Sequence, residues 1–421
     1  MKNLQGKKLL ILGGSASTVN VVNYAKSMGA YVYVADLYEE GRPAKKIADK
    51  AVNIDATDYD ALTDFVKQEQ IDGCITSASE FHILNCIRLS EKAGLPFYTS
   101  EKHWNICQNK RHFKDLCFKY NVPCVPEFGV NDILDAKDFP VIVKPVDGCS
   151  SRGINICYNQ EELEIAKKQA LDSSPLKKIL IERYIDNGGI TLDAKYVAVD
   201  GEYYLEAFGE NRVQGLITAI AMYPSQYIET FIKKVDPYVR EMFKAIGYKN
   251  GAFFFQALPD GDNIYIYEMG LRVSGGMIYN ITEATSGNNT LKMLINYSLT
   301  GTMCEKEDLL KIDPLLNGKF SASLSVPLKT GTIKNIVGLD IIEKMPELVD
   351  ITQYYCIGDS ITNKHINTLD QLFGRIILVA NSPKELFEKL KFVRDTLTII
   401  STENETMNDW KSFDKLYKEK I

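Results

Sequence analysis

The sequence VIVKPVDGCSSRGINI, residues 141–156, indicates the fold of the chain. Apolar residues typical of a β-strand end at Lys144 and Pro145, and a loop rich in glycine and serine follows before apolar residues return. Backbone N–H groups of such a loop can bind phosphate oxygens, because small side chains let the phosphate approach closely. Lys144, at the end of the strand, would add a positive charge beside the same phosphates. The stretch therefore predicts a phosphate-binding loop, and the alternative interpretation is an ordinary β-hairpin.

Two segments on either side of this loop carry further candidate residues. The segment CQNKRHFKDL, residues 107–116, places Lys110 at the start of a predicted helix. The segment LIERYI, residues 180–185, ends a strand with Glu182 and precedes a glycine turn. Such an edge can bind adenine, because a carboxylate or carbonyl accepts from the amino group and a backbone N–H donates to the ring. The alternative is that Lys110 is a surface lysine and Glu182 a solvated strand end.

A later pair of apolar segments predicts a second candidate site. GAFFFQAL and IYIYEMG read as the strands of a β-hairpin joined by residues 259–262. The hairpin would place Gln256 and Glu268 on paired strands, and their oxygen atoms suit Mg²⁺, which usually takes one or two carboxylates plus substrate phosphates. Arg272 and the glycines after it suit an anion, either a transferred phosphate or a carboxylate. The alternative for Gln256 is that it simply faces water.

The first hundred residues alternate short apolar runs with amphipathic stretches, which predicts an open parallel βαβ sheet. Gly13 and Gly14 follow the first predicted strand, and Asp36 ends the second. A glycine turn and an acidic residue at these places are also found in NAD(P)-binding domains. The full G-x-G-x-x-G pattern is absent, so a structural turn or a substrate-facing loop is the alternative.

Composition restricts the class of protein. The chain has 421 residues, a net charge of -6, nine cysteines and four histidines. A nucleic-acid partner is not indicated by this charge, and neither C-x-x-C pairs nor zinc-type spacing occur. No stretch approaches the ~20 apolar residues of a membrane span, and the apolar run at the N-terminus is too short for a signal peptide. Free thiols in a cytoplasmic protein are the simplest interpretation.

In the order in which they occur, Lys110, VIVKPVDGCSSRG, LIERYI, Gln256 and YEMGLR resemble the ATP-grasp superfamily. The superfamily includes biotin carboxylase, the large chain of carbamoyl-phosphate synthetase and the L-amino acid ligases, and the resemblance covers roughly residues 5–310. It implies an α/β and α+β fold. An open parallel βαβ domain (1–108) would precede the ATP-grasp domain (109–310), which contains a small lid subdomain at about 121–185. Residues 311–421 would form a mixed α+β segment.

The resemblance also implies a role for each matching residue. The residues that would hold ATP are Lys110, Lys144, Gly148, Ser150, Ser151, Gly153, Glu182, Tyr184, Ile185 and Asp193. Within this set, the loop from Gly148 to Gly153 would close over the phosphates, and Asp193 would lie near the ribose. Lys144 and Arg272 would be the catalytic residues, and Gln256 and Glu268 would bind Mg²⁺.

The chain departs from the usual superfamily pattern at the predicted metal site. Gly270 stands where the family usually has the asparagine of Glu-x-Asn, and Gln256 stands where a carboxylate is more common. A glutamate expected after the hinge glycine is also missing, since Gly189 or Ile190 occupies that place. The predicted metal site is therefore less acidic than is usual.

The function implied by the resemblance is an ATP- and Mg²⁺-dependent ligase that joins a carboxylate to an amine or a thiol through an acyl phosphate. Its partners would be small-molecule substrates and a second copy of the chain in a homodimer. Three alternatives stay open at this point. They are a carboxylase that works through carboxyphosphate, an NAD(P)-dependent oxidoreductase, and a nucleotide-binding regulator without turnover.

Overall fold

The structure is a computed structural model that describes residues 3–38, 42–147, 153–214, 217–411, 413 and 414. Its elements form four β-sheets of four, eight, three and four strands within the described residues. Among the described helices, none is long and apolar enough to cross a membrane.

The N-terminal unit is a parallel sheet in the order β3-β2-β1-β4, which confirms the predicted βαβ pattern. Its elements and the two helices that follow are β1 (Lys8–Leu12), α1 (Val19–Ser27), β2 (Tyr31–Ala35), α2 (Pro43–Ile47), β3 (Lys50–Val52), α3 (Tyr59–Glu69), β4 (Gly73–Ile75), α4 (Glu80–Ala93), α5 (Glu101–Gln108) and α6 (Lys110–Lys119). Helices α3 to α6 each begin after a capping side chain that accepts a hydrogen bond from a first-turn N–H group. The capping residues are Asp58, Ser79, Ser100 and Asn109.

The small unit after α6 is rich in strands and has one α-helix. It contains β5 (Glu127–Phe128), β6 (Val141–Pro145), β7 (Asn155–Cys157), α7 (Gln160–Ser173) and β8 (Ile179–Arg183). The strands pair antiparallel in the order β5-β8-β6-β7. Helix α7 packs on one face of this sheet, where its Leu163 shares a core with Val141 and Val143 of β6 and Ile181 of β8. The opening stretch of the sequence is therefore the β6–loop–β7 segment of this sheet.

The rest of the chain builds the large sheet and its helices. The elements are β9 (Ile190–Val199), β10 (Glu202–Gln214), β11 (Ile217–Tyr223), α8 (Ile228–Lys234), α9 (Asp236–Ile246), β12 (Gly251–Asp260), β13 (Asn263–Gly270), α10 (Ile278–Ser286), α11 (Thr290–Thr300), α12 (Lys306–Leu309), β14 (Phe320–Pro327), β15 (Gly331–Val337), α13 (Leu339–Ile342), β16 (Leu348–Gln353), β17 (Ser360–Ile361), β18 (Leu372–Ala380), α14 (Pro383–Thr396) and β19 (Thr398–Ser401). The predicted hairpin is β12–β13, although Pro259 and Asp260 belong to β12 and only Gly261 and Asp262 separate the strands.

The eight-stranded sheet has the order β13-β12-β9-β10-β11-β14-β18-β16. It combines strands from both sides of residue 310, because Tyr223 of β11 pairs with Ser321 of β14. The domain boundaries at 108 and 310 stay predictions, and limited proteolysis would test them. The three-stranded sheet β17-β15-β19 lies at the C-terminal end of the chain.

The two faces of the large sheet differ in chemistry because side chains alternate along each strand. On β12, Phe253 and Phe255 face one side, where Phe253 stacks on Phe243 of α9 with ring centroids 3.9 Å apart. Phe254 and Gln256 face the opposite side. At one end this second face is apolar and packs with the N-terminal unit, and at the other end it carries polar residues.

The segment after β19 runs back along the C-terminal part of the chain. Residues 402–409 form a turn and isolated bridges, in which Asn408 pairs with Leu328 and Thr406 with Ile400. Met407 is buried in the core below α14, which holds this segment in an extended path.

Candidate active site

A buried ion-pair cluster occupies the base of the small sheet. The Nζ atom of Lys144 lies 2.5 Å from Glu182 Oε2, and the Nζ atom of Lys114 lies 2.5 Å from Glu182 Oε1. Lys114 also lies 3.2 Å from Glu127 Oε2 and donates to the carbonyl oxygen of Val125. One carboxylate thus holds two ammonium groups, and Lys144 is fixed at the point where β6 leads into the loop.

The charges in this cluster decide the protonation state of Glu182. Burial alone would raise the pKa of the Glu182 carboxyl, but the ammonium groups of Lys144 and Lys114 hold its pKa below the ordinary value. Glu182 is therefore ionised when the cluster is formed. In this arrangement its carboxylate faces lysines, so the adenine contact proposed for the side chain stays a prediction.

The segment after Glu182 offers backbone groups at the edge of the sheet. The N–H of Tyr184 donates to the carbonyl oxygen of Pro140, at 3.0 Å. The N–H of Ile185 has no acceptor among the described residues, although Ile185 is buried. Tyr184 and Ile185 are the two residues whose main chain is predicted to bind adenine. The N–H group of Ile185 is available to donate, whereas that of Tyr184 already donates to Pro140.

The start of the predicted phosphate loop is anchored at the C-terminal end of α7. Asp147 accepts hydrogen bonds from Ser174 Oγ at 2.5 Å and from the N–H of Leu176 at 2.8 Å. Desolvation raises the pKa of Asp147, but these hydrogen bonds and the positive charge of Lys110 together lower it below the ordinary value. The predicted phosphate ligand Lys110 is therefore close to the beginning of the loop.

The end of the loop is anchored at the same helix terminus. Gly153 has a φ of +71°, and a Cβ there would lie 2.7 Å from the Cβ of Ser173. A glycine is required at this point for both reasons. The three remaining predicted loop residues, Gly148, Ser150 and Ser151, lie outside the described residues.

The large sheet places three candidate residues in one row across three strands. Asp193 of β9 pairs with Gln256 of β12, and Gln256 pairs with Glu268 of β13. Directly paired residues point to the same face with Cβ atoms about 5 Å apart. The sequence predicted Gln256 and Glu268 as neighbours, and the structure adds Asp193, which was expected near a ribose.

A β-bulge brings a fourth side chain to this row. The register shifts between Gln256 and Ala257, which leaves Tyr267 of β13 without a paired residue. The Tyr267 hydroxyl donates to Gln256 Oε1 at 3.1 Å. Burial raises the pKa of Tyr267, and the negative charges of Glu268 and Asp193 raise it further. The strand pairing and this hydrogen bond join Asp193, Gln256, Tyr267 and Glu268 in one cluster.

The donor set of this cluster fits Mg²⁺ only in combination with other ligands. Glu268 is exposed, and its carboxylate has neither an ion pair nor a hydrogen bond to any other described residue. Asp193 is buried and paired with Lys195 at 3.0 Å, while its Oδ1 atom has no partner. Among the described residues no group of three Asp, Glu, His or Cys side chains could hold a metal ion alone. The site therefore suits a Mg²⁺ ion that arrives with phosphate oxygens.

Phe254 leaves little room for a side chain at position 270, where the resemblance predicts an asparagine. The two residues pair across β12 and β13, and a Cβ on Gly270 would lie 2.5 Å from the Phe254 ring. The ring lies between two cations, with Lys195 Nζ and Arg272 Cζ each 4.9 Å from its centroid. An aromatic ring thus fills the space of a second metal-ligating side chain.

Arg272 connects the end of β13 to the N-terminal unit. Its Nη2 atom lies 3.1 Å from Glu80 Oε1 at the start of α4, and its Nε atom is buried without a partner. The guanidinium therefore stands at the polar end of the sheet face, four residues after Glu268. This placement suits the predicted contact with an anion.

Two links hold the small sheet beside the edge of the large one. The N–H of Val125 donates to the carbonyl oxygen of Ile266 at 3.2 Å, so the segment before β5 runs along β13. Arg183 pairs with Asp260 at 2.5 Å and lies over the Tyr265 ring. These links hold the sheet that carries the Lys144 cluster beside the strand that carries Glu268.

The glycine turn after β1 is filled by the protein itself. The N–H of Gly14 donates to Asp36 Oδ2 at 2.7 Å, and Arg42 lies 3.7 Å from the same carboxylate. A Cβ on Gly13 would lie 2.9 Å from the His82 ring, and one on Gly14 would lie 2.9 Å from the Arg42 side chain. Asp36 closes the turn, which gives it a structural role in place of the ribose contact of a dinucleotide site.

The sequence reasoning missed several residues of the site. Lys114 lies on the buried side of α6, next to Phe113 and Cys117. A lysine on the apolar face of a helix indicates a buried lysine that needs an acidic partner, so this ion pair could have been predicted. Tyr267 and Phe254 were hidden because the bulge and the ring position depend on the pairing of two strands.

Comparisons with known proteins agree with the predicted family. Residues 137–280 match the model of the ATP-grasp domain. The chain is 28% identical over 189 residues to the formate-dependent phosphoribosylglycinamide formyltransferase of Sulfurisphaera tokodaii, covering 42% of this chain and 47% of that protein. It is 26% identical over 229 residues to the carbamoyl phosphate synthase large chain of Archaeoglobus fulgidus, covering 51% of this chain and 21% of that protein. The chain thus spans less than half the length of these two relatives.

Solved structures with a similar fold cover almost the whole chain. Phosphoribosylglycinamide synthetase from Anaerococcus prevotii has a TM-score of 0.75 at 21% identity, covering 94% of this chain and 100% of that one. The L-amino acid ligase from Bacillus licheniformis has a TM-score of 0.74 at 20% identity, covering 94% and 99%. The biotin carboxylase domain of Hydrogenobacter thermophilus 2-oxoglutarate carboxylase, solved with MgADP and bicarbonate, has a TM-score of 0.74 at 20% identity, covering 95% and 91%. At these identities the likeness confirms the predicted fold class.

Proposed function

Because residues 137–280 match the model of the ATP-grasp domain, we propose that this chain is an ATP-dependent ligase that joins a carboxylate to an amine through an acyl phosphate. The proposal extends to ATP and Mg²⁺ as cofactors, to small-molecule substrates, and to a homodimer as the assembled form. The names of the relatives support the reaction class, since they include ligases and a synthase.

The placement of the Lys144 cluster and the Glu268 row on two linked sheets is the observation that carries this proposal. On one side, Lys144 is fixed by Glu182 at the mouth of the loop, and Lys110 lies close to the start of that loop. On the other side, the exposed carboxylate of Glu268 lies beside Gln256. Cations on one sheet and oxygen atoms that suit a metal on the other would fit a polyphosphate bound between them.

The reaction would proceed in two displacements. A carboxylate oxygen of the substrate attacks the γ-phosphorus of ATP, a new O–P bond forms, and the bond from that phosphorus to the bridging oxygen breaks with release of ADP. The amine then attacks the acyl carbon, a C–N bond forms, and the C–O bond to phosphate breaks. The surplus proton of the amine passes to water, and phosphate leaves. An amide, ADP and phosphate are the products.

The residues of the chain contribute binding and charge to both steps. Glu268 and Gln256 would hold Mg²⁺, which supplies charge neutralisation at the phosphates when it is bound. Lys144 would neutralise charge on the transferring phosphoryl group, and Arg272 would stabilise the acyl phosphate. The N–H of Ile185 would donate to the adenine ring.

Trapping of the acyl phosphate tests the proposal directly. Purified protein is incubated with ATP, Mg²⁺ and a panel of carboxylates in the presence of hydroxylamine, which converts an acyl phosphate to a hydroxamate. Hydroxamate and ADP should form in equal amounts with a cognate acid, and mass spectrometry identifies that acid. ADP formation only with bicarbonate would instead indicate the carboxylase alternative.

Two further outcomes separate the remaining alternatives. ATP binding without ADP release for any acid would indicate a nucleotide-binding regulator. The Phe254 ring, which fills the space beside Gly270, favours this alternative because it leaves no room there for a second metal ligand. Quenching of NADH or NADPH fluorescence at micromolar protein would indicate an oxidoreductase. The filled turn around Asp36 makes the second outcome the less expected one.

A further inference from the structure

A cavity lies next to the polar end of the large sheet. It has a volume of about 530 Å³ and is lined by three parts of the chain. The N-terminal unit contributes the loops at Ser15 and Ser77, the segment after β13 contributes Val273 to Tyr279, and the C-terminal part contributes Tyr354 and Arg375. Cavities of this size, formed where separate parts of a fold meet, are typical of small-molecule sites.

Most of the lining is apolar or aromatic. The side chains that supply this surface are Met277, Tyr279, Leu291, Tyr354 and Leu372. Four of these side chains are largely buried in the core, so their positions are fixed by packing: Met277, Tyr279, Leu291 and Leu372. An apolar group of a ligand would replace water against this wall, which favours its binding.

Two polar atoms without partners point to the chemistry of the ligand. The Nε atom of Arg375 and the Oγ atom of Ser274 are both buried and make no hydrogen bond. Among the described residues no carboxylate lies within 4 Å of Arg375, whose guanidinium is close to Tyr354. A buried polar atom without a partner is costly, so a ligand group that bonds to both of these atoms would be favoured. A guanidinium and a hydroxyl together suit a carboxylate.

The cavity adjoins the reaction site. Ser274 follows Arg272 by two residues, and Ser79, which lines the cavity, caps the helix that begins at Glu80. Glu80 is the ion-pair partner of Arg272. A ligand in the cavity would therefore lie against the residue proposed to stabilise the acyl phosphate.

We infer that this cavity selects one substrate, a carboxylic acid of amino-acid size with an apolar or aromatic body. Its apolar body packs against Met277, Leu291 and Leu372, and Arg375 and Ser274 bind its carboxylate. This inference rests on the proposed ligase function and deepens it by naming the substrate class.

The same lining disfavours the substrates named for some of the relatives. A phosphoribosyl group carries two negative charges and several hydroxyls, and it requires several cations and polar partners. Among the described lining residues Arg375 is the only cation, while Asp370 at the rim is negative. The cavity thus fits a monocarboxylate better than a sugar phosphate.

A substrate panel with a matched pair of variants tests the inference. The probes are 3-phenylpropionate and L-phenylalanine as apolar carboxylates, 2-phenylethylamine without a carboxylate, L-aspartate with a second charge, and ribose 5-phosphate. Binding is measured by saturation-transfer NMR, and turnover is measured as ADP release. At least one of the two apolar carboxylates should bind and stimulate ADP release, whereas the other three probes should not.

The variant Arg375→Met should raise the half-saturating concentration of the apolar carboxylate about tenfold or more, as expected for loss of a charge-assisted hydrogen bond. Its ATP affinity should stay unchanged, which shows that the variant is folded. Ser274→Ala should give a smaller rise in the same direction. The control Arg88→Met removes an arginine from the surface, where it pairs with Glu101 outside the cavity, and should behave like the parent.

The outcomes separate this inference from the proposed function. If aspartate supports ADP release and the apolar acids do not, the ligase function stands and the inference is wrong. ADP release with ribose 5-phosphate, which has no carboxylate, and with none of the acids would contradict both. Unchanged binding of the apolar acid in Arg375→Met also overturns it. If no acid supports ADP release, NMR still decides, because apolar acid binding that is lost in Arg375→Met supports the cavity assignment while the ligase proposal fails.

Discussion

Lys144 and Glu182 lie on adjacent antiparallel strands of the small sheet with 2.5 Å between Nζ and Oε2. Glu182 also pairs with Lys114, so one buried carboxylate contacts two buried ammonium groups, and Glu127 is the second partner of Lys114. A buried charge without a partner costs far more than an exposed one. The cluster therefore fixes the phosphate-side lysine and makes the fold of the small sheet depend on Glu182.

The variant Glu182→Gln should destabilise the protein by about 3 kcal/mol, because it leaves the buried ammonium of Lys144 without a counter-charge and Lys114 with Glu127 alone. Urea unfolding of the variant and the parent measures the difference. The control Glu164→Gln changes an exposed glutamate that pairs with Lys167, and it should cost less than about 1 kcal/mol. Equal stability of Glu182→Gln and the parent would contradict the proposed role of the cluster.

Substitution of Glu268 tests the metal site. Glu268→Gln should lower the rate of ADP release about 10²-fold, because it removes the exposed carboxylate of the row. Gln256→Glu should retain activity and reach half-maximal rate at lower Mg²⁺, because it adds a carboxylate. A Mg²⁺ titration of ADP release measures both effects, with Asp262→Asn at the hairpin turn as the control. Parent-like turnover of Glu268→Gln at every Mg²⁺ concentration would rule out this metal assignment.

The pairing of Gly270 with Phe254 predicts a coupled effect on stability. Gly270→Asn should destabilise the protein by about 1–3 kcal/mol, because its Cβ would overlap the Phe254 ring. Phe254→Ala opens the space, so the double variant should be at least about 1 kcal/mol more stable than the sum of the two single effects predicts. Chemical unfolding of the four proteins gives the coupling energy. Simple additivity would show that the ring does not control the residue at 270.

Glu206 gives the protein a stability that depends on pH. It is the bulged residue of β10, it accepts a hydrogen bond from Thr290, and burial raises the pKa of its carboxyl from 4.5 to about 7. The unfolded chain loses this proton at lower pH than the folded chain, so stability falls as pH rises from about 4.5 to 7 and stays low above that.

Glu206→Gln removes this ionisation while keeping a group that can accept from Thr290. At pH 8 the variant should be more stable than the parent by up to about 3 kcal/mol, and near pH 4 the two should converge. Melting temperatures across this range measure the effect. A constant difference at all pH values would mean that Glu206 does not titrate as its burial implies.

The backbone of Ile185 is the predicted contact for adenine. Ile185→Pro removes the N–H that lacks an acceptor in the described part of the chain, and ATP binding should weaken by about 1–3 kcal/mol. Ile185→Val keeps the N–H and serves as the control. Calorimetric titration with ATP distinguishes the two, and equal affinities in folded proteins would place the adenine elsewhere.

Local patterns in the sequence were sufficient for much of this structure. The strand ending at Lys144, the hairpin that pairs Gln256 with Glu268, and the parallel N-terminal sheet all follow from periodicity and turn residues within short segments. The ion pair of Lys114 with Glu182 joins residues 68 positions apart. The cavity around Arg375 depends on three segments that meet only in the folded chain. Such contacts between distant segments leave no local periodic signal, which is why they were missed.

The pairing of β11 with β14 has a consequence for chains shortened at residue 310. Without β14, β11 would become an edge strand whose N–H and C=O groups toward Ser321, Ala322, Ser323 and Leu324 have no partner. An edge of this length can recruit a strand from another molecule. A chain shortened at this point should therefore self-associate. A chimaera that takes its C-terminal segment from a relative should stay monodisperse only if Tyr223 still pairs with Ser321.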